Sequence, residues 1–390
     1  MVLVARAQAA TLREAARTHD ELTAIGLSRQ YLVINGVLPG AEATQDRLAQ
    51  AILDREQAVL ANIPANLKVL PCDMVALKPF NLVGLAALHG LFAGTAPLAP
   101  SGDDTPFVFP APTLSALVDE IAVDGHGLVM LMGKGGVGKT TMAAVAVELA
   151  HRGLTVHLTT SDPAGRLAET LNGTLDNLTV SRIDPQAETE RYRQQVVRTK
   201  GAKLDAAGRA LLEEDLRSPC TEEIAVFQAF SRAIREAGKK FVVMDTAPTS
   251  HTLLLLDATG AYHRDVARQM ADTGVHFVTP MMQLQEPKQT KVLLVTLAGT
   301  TPVLEAENLQ ADLLRTGITP WAWIVNNSVA AAQPHSPLLR QRARNELREI
   351  AAVATLHAKR YAVGPLLTEE PVGVERLLKM AGHTIRTDNV

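Results

Sequence analysis

The run Gly133-Lys134-Gly135-Gly136-Val137-Gly138-Lys139-Thr140-Thr141 carries the spacing G-x-x-x-x-G-K-S/T. Glycines in such a loop let successive backbone N–H groups converge on phosphate oxygens. The following helix adds the partial positive charge of its N-terminus, and Lys139 supplies a full one. Thr140 falls where a hydroxyl meets Mg²⁺. The chemistry is recognition of a nucleoside triphosphate with its Mg²⁺. Two carboxylates suit the same site. Asp245 ends the apolar run Phe241-Val242-Val243-Met244, where a Walker B carboxylate would hold Mg²⁺ through water. Asp162 follows Thr159-Thr160 in a second loop at the same sheet edge, and a plain turn or cap role is open to it on sequence alone.

These residues need strands that end together. Apolar runs at Leu128–Met132, Thr155–Thr159, Leu178–Arg182, Phe241–Met244, Val292–Thr296 and Ala322–Val325 alternate with helical stretches, among them Thr113–Val123 and Lys139 to about Arg152. Alternation of this kind predicts an α/β fold, a doubly wound parallel sheet whose strand ends gather the loops. Residues 186–238 are polar and charged with helical character, and read as a helical insertion at the sheet edge.

The chain also repeats itself. Residues 2–35 match 293–326 without a gap: Leu3, Val4, Ala7, Glu14, Ala15, Leu22, Gly26 and Asn35 align with Leu294, Val295, Ala298, Glu305, Ala306, Leu313, Gly317 and Asn326. Val83-Gly84 echoes Val372-Gly373, each opening a short apolar helix. The expected division is therefore a partial copy of the fold at 1–92, a Gly/Pro/Ser-rich linker at 93–112 and a complete P-loop half at 113–390.

Composition narrows the function classes. With 38 basic and 41 acidic side chains the chain has no basic surplus for gripping a phosphate backbone, so no nucleic-acid partner is expected. Cys72 and Cys220 form neither a disulfide framework nor a zinc pair, which suits a reducing, cytoplasmic compartment. Pro79–Gly102 lacks Lys, Arg, Asp and Glu, but its prolines, glycines, Asn81 and His89 suit a loop and short helix better than a membrane span, so no transmembrane segment is expected.

Lys134 adds a lysine at the head of the loop, and GKGGVGKT resembles the deviant Walker A loop of dimerising ATPases, in which that lysine reaches a nucleotide bound across an interface. The runs GKGGVGKTTMAA, HLTTSDPAG, LLEEDLRSPCTEEIAVFQAFSRAIREAGKKFVVMDTAPT and HTLLLLDATGAYHR resemble the second half of the arsenite-translocating ATPase family, a tandem pseudo-dimer of two P-loop halves. Several roles are implied by the resemblance. Lys134 and Lys139 would contact phosphates, Thr140, Asp162 and Asp245 would serve Mg²⁺ and the attacking water, and Asn326 would read adenine. Cys220, His251 and Ser218 would bind As(III) or Sb(III) as an allosteric metalloid. Ser218-Pro219-Cys220 also reads as the start of a helix, where a thiolate is favoured and where soft sulfur suits a soft metalloid.

The resemblance implies a soluble ATPase subunit of an arsenite and antimonite efflux pump, working at the inner face of the plasma membrane with an ArsB-type membrane carrier and a metallochaperone. Two other readings stay open: a client-delivery ATPase similar to tail-anchored protein targeting factors, and a low-activity remnant. The second repeat begins roughly 160 residues after its P-loop, so a complete first half would need about that many residues before Met1. The expectation is that a homodimer or a separately encoded first half completes the site. Ser250 stands for a usual glycine, Gly165-Arg166 for Ala-His and Ala298-Gly299 for Pro-Glu.

Overall fold

The computed structural model describes residues 1–44, 46–92, 110–161, 167–246 and 280–382. These fall into two compact units, one made of Met1–Pro110, Ser328–Ile350 and Pro365–Glu370, the other of Ala111–Asn327, Ala351–Gly364 and Pro371–Val390. The linker expected at 93–112 lies almost wholly outside the described residues.

The larger unit is built on seven strands: β4 (Gly127–Met132), β5 (Val156–Thr160), β6 (Leu178–Arg182), β7 (Phe241–Asp245), β8 (Thr290–Leu297), β9 (Ala322–Ser328) and β10 (Tyr361–Pro365). Their order is β10-β9-β8-β4-β7-β5-β6, and β4 pairs in parallel with both β7 and β8. Successive side chains of a strand point to opposite faces. All six residues of β4 are buried, as are all five of β7, so both faces of the sheet centre are covered. This is the predicted α/β, doubly wound parallel sheet. The order reverses beside β4, the switch point outside whose strand ends a doubly wound sheet takes its ligand.

On one side the helices Leu114–Ala122, Ala144–His151 and Val374–Ala381 pack together. Ala144–His151 buries every residue from Ala144 to Ala150, including Glu148, whose carboxylate accepts from Arg152 at 2.8 Å and from the Ser115 hydroxyl at 3.2 Å. Between Pro185 and Glu236 run three α-helices, Pro185–Thr199, Ala206–Asp215 and Pro219–Glu236. Asp184 and Asp205 cap the first two through their carboxylates, which explains why so polar a stretch keeps helical form.

The smaller unit holds β1 (Val2–Ala5), β2 (Tyr31–Val37) and β3 (Cys72–Ala76), all parallel, in the order β1-β2-β3. The helix Ala9–Ala24 buries Leu12 and Ala15 with Leu3, Ala5, Leu32 and Ile34, whereas Val2 and Val4 on the opposite face stay exposed. The sequence repeat is a structural one. Ala9–Ala24 corresponds to the helix Thr300–Arg315 and β2 to β9, residue for residue. The paired glycines also share a conformation: Gly26 and Gly317 have φ of 88° and 79°, Gly84 and Gly373 of 87° and 95°.

Asp46 closes this unit. One carboxylate oxygen accepts from the N–H groups of Leu48 and Ala49 at 2.8 and 3.2 Å, capping the helix Arg47–Ala61, and the other accepts from His335 and Ser336 at 2.7 Å each. Glu42 accepts from the Ser336 hydroxyl at 2.6 Å and from the Leu338 N–H at 3.1 Å, at the start of the helix Pro337–Ala352.

Candidate functional site

The P-loop leaves the end of β4 and is pressed against β8. A Cβ built on Gly133 would stand 2.4 Å from the Val295 carbonyl oxygen, so only glycine fits where the loop begins. Gly136 and Gly138 take positive φ, 84° and 88°, which glycine adopts without strain. A Cβ on Gly135 or Gly136 would meet nothing within 4 Å, so the loop's crown opens outward. Val137 is buried at 5% exposure and anchors the crown from beneath.

The two lysines of the loop sit in opposite settings. Lys139 is buried, and its ammonium donates to the carbonyls of Gly133 at 2.9 Å and Lys134 at 3.0 Å, drawing the loop around itself. Lys134 is exposed, and its ammonium pairs with the carboxylate of Glu305 on the helix Thr300–Arg315. Glu305 belongs to the repeat, where it aligns with Glu14, but to no phosphate-binding motif. It reaches the loop because its helix springs from β8, the strand beside β4, and that adjacency is a property of strand order rather than of local sequence.

Thr140 and Asp245 meet as the motifs suggest they should. The Thr140 hydroxyl donates to Asp245 at 2.8 Å, joining the loop after β4 to the end of β7. A hydroxyl and a carboxylate side by side are hard oxygen donors, and such a pair suits Mg²⁺ rather than a softer metal. Asn326, fully buried at the end of β9, also reaches the loop. Its amide donates to the Val137 carbonyl at 3.0 Å, and its carbonyl oxygen accepts from the Asn327 N–H at 2.8 Å. The turn just beyond β9 is held by Glu346, which accepts from the Ser328 hydroxyl and the Ala330 N–H at 2.9 Å each. Burial raises the pKa of this carboxyl, and those hydrogen bonds pull it partly back.

The structure thus brings together Gly133, Lys134, Gly135, Gly136, Val137, Gly138, Lys139, Thr140, Asp245 and Asn326. Thr141 lies in the short 3₁₀ turn Thr140–Ala143 that opens the following helix. Asp162, His251, Ser250 and Gly165-Arg166 lie outside the described residues. Ser218 is exposed just ahead of the helix Pro219–Glu236, and its carbonyl accepts from the Thr221 N–H at 3.0 Å. Cys220 lies in the first turn of that helix, as the sequence predicts. Cys72 is exposed at the start of β3, and partial burial together with the Asp73 carboxylate raises its thiol pKa, the reverse of what a thiolate ligand needs. Among the described residues no group of three or more His, Cys, Asp and Glu side chains could hold a metal ion, and no helix is long and apolar enough to cross a membrane.

Comparison with known proteins agrees with this geometry. The arsenical pump-driving ATPase of Escherichia coli is 65% identical over 98% of this chain and 66% of its own length. The protein of the same name from Acidiphilium multivorum is 64% identical over 97% of this chain and 65% of its own. The chain therefore spans just under two thirds of the length of these relatives. More distantly, ATPase GET3 of Mycosarcoma maydis is 24% identical over 68% of this chain and 92% of its own length. The anion-transporting ATPase family matches residues 126–272 and 255–385, most of the larger unit. With P-loop, Asp245 and sheet order already pointing the same way, the chain belongs to the anion-transporting ATPase family.

Proposed function

We propose that this chain hydrolyses ATP to drive export of arsenite and antimonite through an ArsB-type membrane carrier, to which it docks from the cytoplasm at the inner face of the plasma membrane. The observation that carries the reading is the joined site of Lys139, Thr140 and Asp245 at the ends of β4 and β7, together with similarity to proteins named arsenical pump-driving ATPases. The backbone N–H groups of the open glycine crown receive phosphate oxygens, and Lys139 lends them its charge without leaving the loop. Thr140, Asp162 and Asp245 would hold Mg²⁺, which would neutralise charge developing on the phosphates. Asp162 orients the attacking water, and Asn326, already fixed at the crown, reads adenine. Lys134 serves a nucleotide across a second face.

Cys220, His251 and Ser218 take the metalloid, with the thiolate at the helix start as the soft ligand. Residues 1–92 are read as the last third of a first P-loop half and 113–390 as a complete one. The correspondence of Ala9–Ala24 with Thr300–Arg315 and of β2 with β9 supports that division. In the larger unit the strand matching β1 is β8, whose other neighbour is the P-loop strand β4. The same edge of β1 is where a first half, a second copy or a separately encoded chain would add its strand.

The test is ATP hydrolysis with and without antimonite. Stimulation that disappears in Cys220→Ser is the expected result. Stimulation by a hydrophobic client helix instead would favour a delivery factor, the reading to which the GET3 relatives lend some weight, and no hydrolysis under any condition would favour a remnant.

A further inference from the structure

The two lysines of the loop differ in what they are free to do. Lys139 is buried and bound to two carbonyls of its own loop. The Lys134 side chain is 58% exposed and is paired with a Glu305 carboxylate that is itself 31% exposed. The backbone on both sides of that pair is fixed. Val295 at the end of β8 lies against Gly133, and three buried residues of the following helix, Val303, Ala306 and Leu309, lock the face beside Glu305 into the core. A helix anchored in the core therefore presents one carboxylate to one solvent-facing ammonium at the rim of an outward-opening loop.

We propose that Glu305 is a positioning residue that parks Lys134 over its own P-loop, so that Lys134 must leave this carboxylate before it can serve a nucleotide on a facing partner. The proposal rests on the ATPase reading and adds a resting state to it. Among the described residues no other bond of the Lys134 side chain has to be broken for release, because Lys139 keeps its own hydrogen bonds to the loop backbone when Lys134 swings away. An exposed pair of this kind holds its partner by a small factor, about 1.4- to fivefold, and salt weakens it. That strength suits a resting contact, since a buried pair would block the loop permanently. The parking is a local property of one unit, so it exists whether or not a partner is present.

Two measurements on the whole chain test it. The first needs no ATPase activity: limited acetylation with acetic anhydride, read by mass spectrometry at each lysine. In Glu305→Gln the rate at Lys134 rises about 1.4- to fivefold while Lys139, buried on its carbonyls, is unchanged. In the unsubstituted protein the Lys134 rate rises on going from low to high salt, and in the variant this dependence is lost. Equal Lys134 rates in the two proteins at low salt overturn the proposal, and unequal rates at Lys139 show a rearranged loop and overturn it too. The second reads function. Glu305→Gln raises the maximal basal turnover of ATP by a similar factor and leaves the KM for ATP unchanged, whereas a merely structural role would lower turnover or raise KM. Absence of turnover in the unsubstituted protein sinks the ATPase reading while the acetylation result still decides the parking.

Discussion

Gly133 is tightly constrained, because a Cβ there would stand 2.4 Å from the Val295 carbonyl oxygen. Its missing side chain is what lets β4 and β8 lie close enough for the loop to curl over their ends. Gly133→Ala is expected to cost about 1–3 kcal/mol of unfolding free energy and to weaken nucleotide binding, measured by denaturant unfolding and by titration with a fluorescent ATP analogue. Unchanged stability would mean that β8 yields at Val295. At this scale the sequence was most readable, because a phosphate loop is a local pattern in which seven or eight consecutive residues do one task. Asp245 was readable for a related reason, since it terminates an apolar strand. Glu305 was not, because its partner lies 171 positions away and meets it only through strand order. The contact of Asn326 with Val137 was hidden in the same way.

Elements show a different mix of success and failure. The helix expected at Thr113–Val123 is found at Leu114–Ala122, with the Thr113 hydroxyl accepting from the Ala116 N–H at 3.2 Å. The helix expected to run unbroken from Lys139 instead begins as a 3₁₀ turn, Thr140–Ala143, before the α-helix Ala144–His151. The cause is the loop: the Met142 N–H is shared between the carbonyls of Gly138 and Lys139, a compromise that periodicity cannot reveal. At the far end of Pro219–Glu236, Glu236 links its helix to β5 through His157 at 2.7 Å and pairs with Lys240. Burial acts to raise the pKa of Glu236, but bonds to Lys240 and His157 and their charges bring it below the ordinary 4.5. A depressed folded-state value means stability that is present above the unfolded pKa and lost as pH falls through the folded one. Thermal melts between pH 6 and pH 3 should therefore show a steeper acid loss for the unsubstituted protein than for Glu236→Gln, and parallel curves would refute the coupling. Asp46 makes a sharper case. Asp46→Ala removes the acceptor for four backbone N–H groups and should cost about 2–4 kcal/mol, about 1 for the lost helix cap and about 1–3 for the His335 and Ser336 N–H groups left without it. Urea unfolding checks this, and a loss below 1 kcal/mol would show that water replaces the carboxylate.

For the whole molecule the repeat was visible in sequence because glycine stops and apolar positions recur in the same order, and the matching helices and left-handed glycines give it a physical basis. Membership of the two compact units was not visible. The segments Ser328–Ile350 and Pro365–Glu370 join the N-terminal strands, and no composition shift announces it. On the proposed reading, a P-loop whose crown opens outward and carries an exposed second lysine works against a facing partner. Sedimentation velocity is expected to show a monomer without nucleotide and a dimer with ATP and Mg²⁺. A chain that stays monomeric yet turns over ATP at the full metalloid-stimulated rate would contradict that arrangement.

The carboxylate of Asp46 also bears on how the protein is made. Its bonds to His335 and Ser336 span 289 and 290 residues, and those of Glu42 to Ser336 and Leu338 span 294 and 296. During synthesis the strands of the smaller unit leave the ribosome ahead of the larger unit and then wait, with Asp46 and Glu42 lacking these distant partners, while most of that unit is translated. Contacts so far apart in the chain are slow to form. The smaller unit therefore begins to emerge before the larger one, yet is finished only after most of that one has been made.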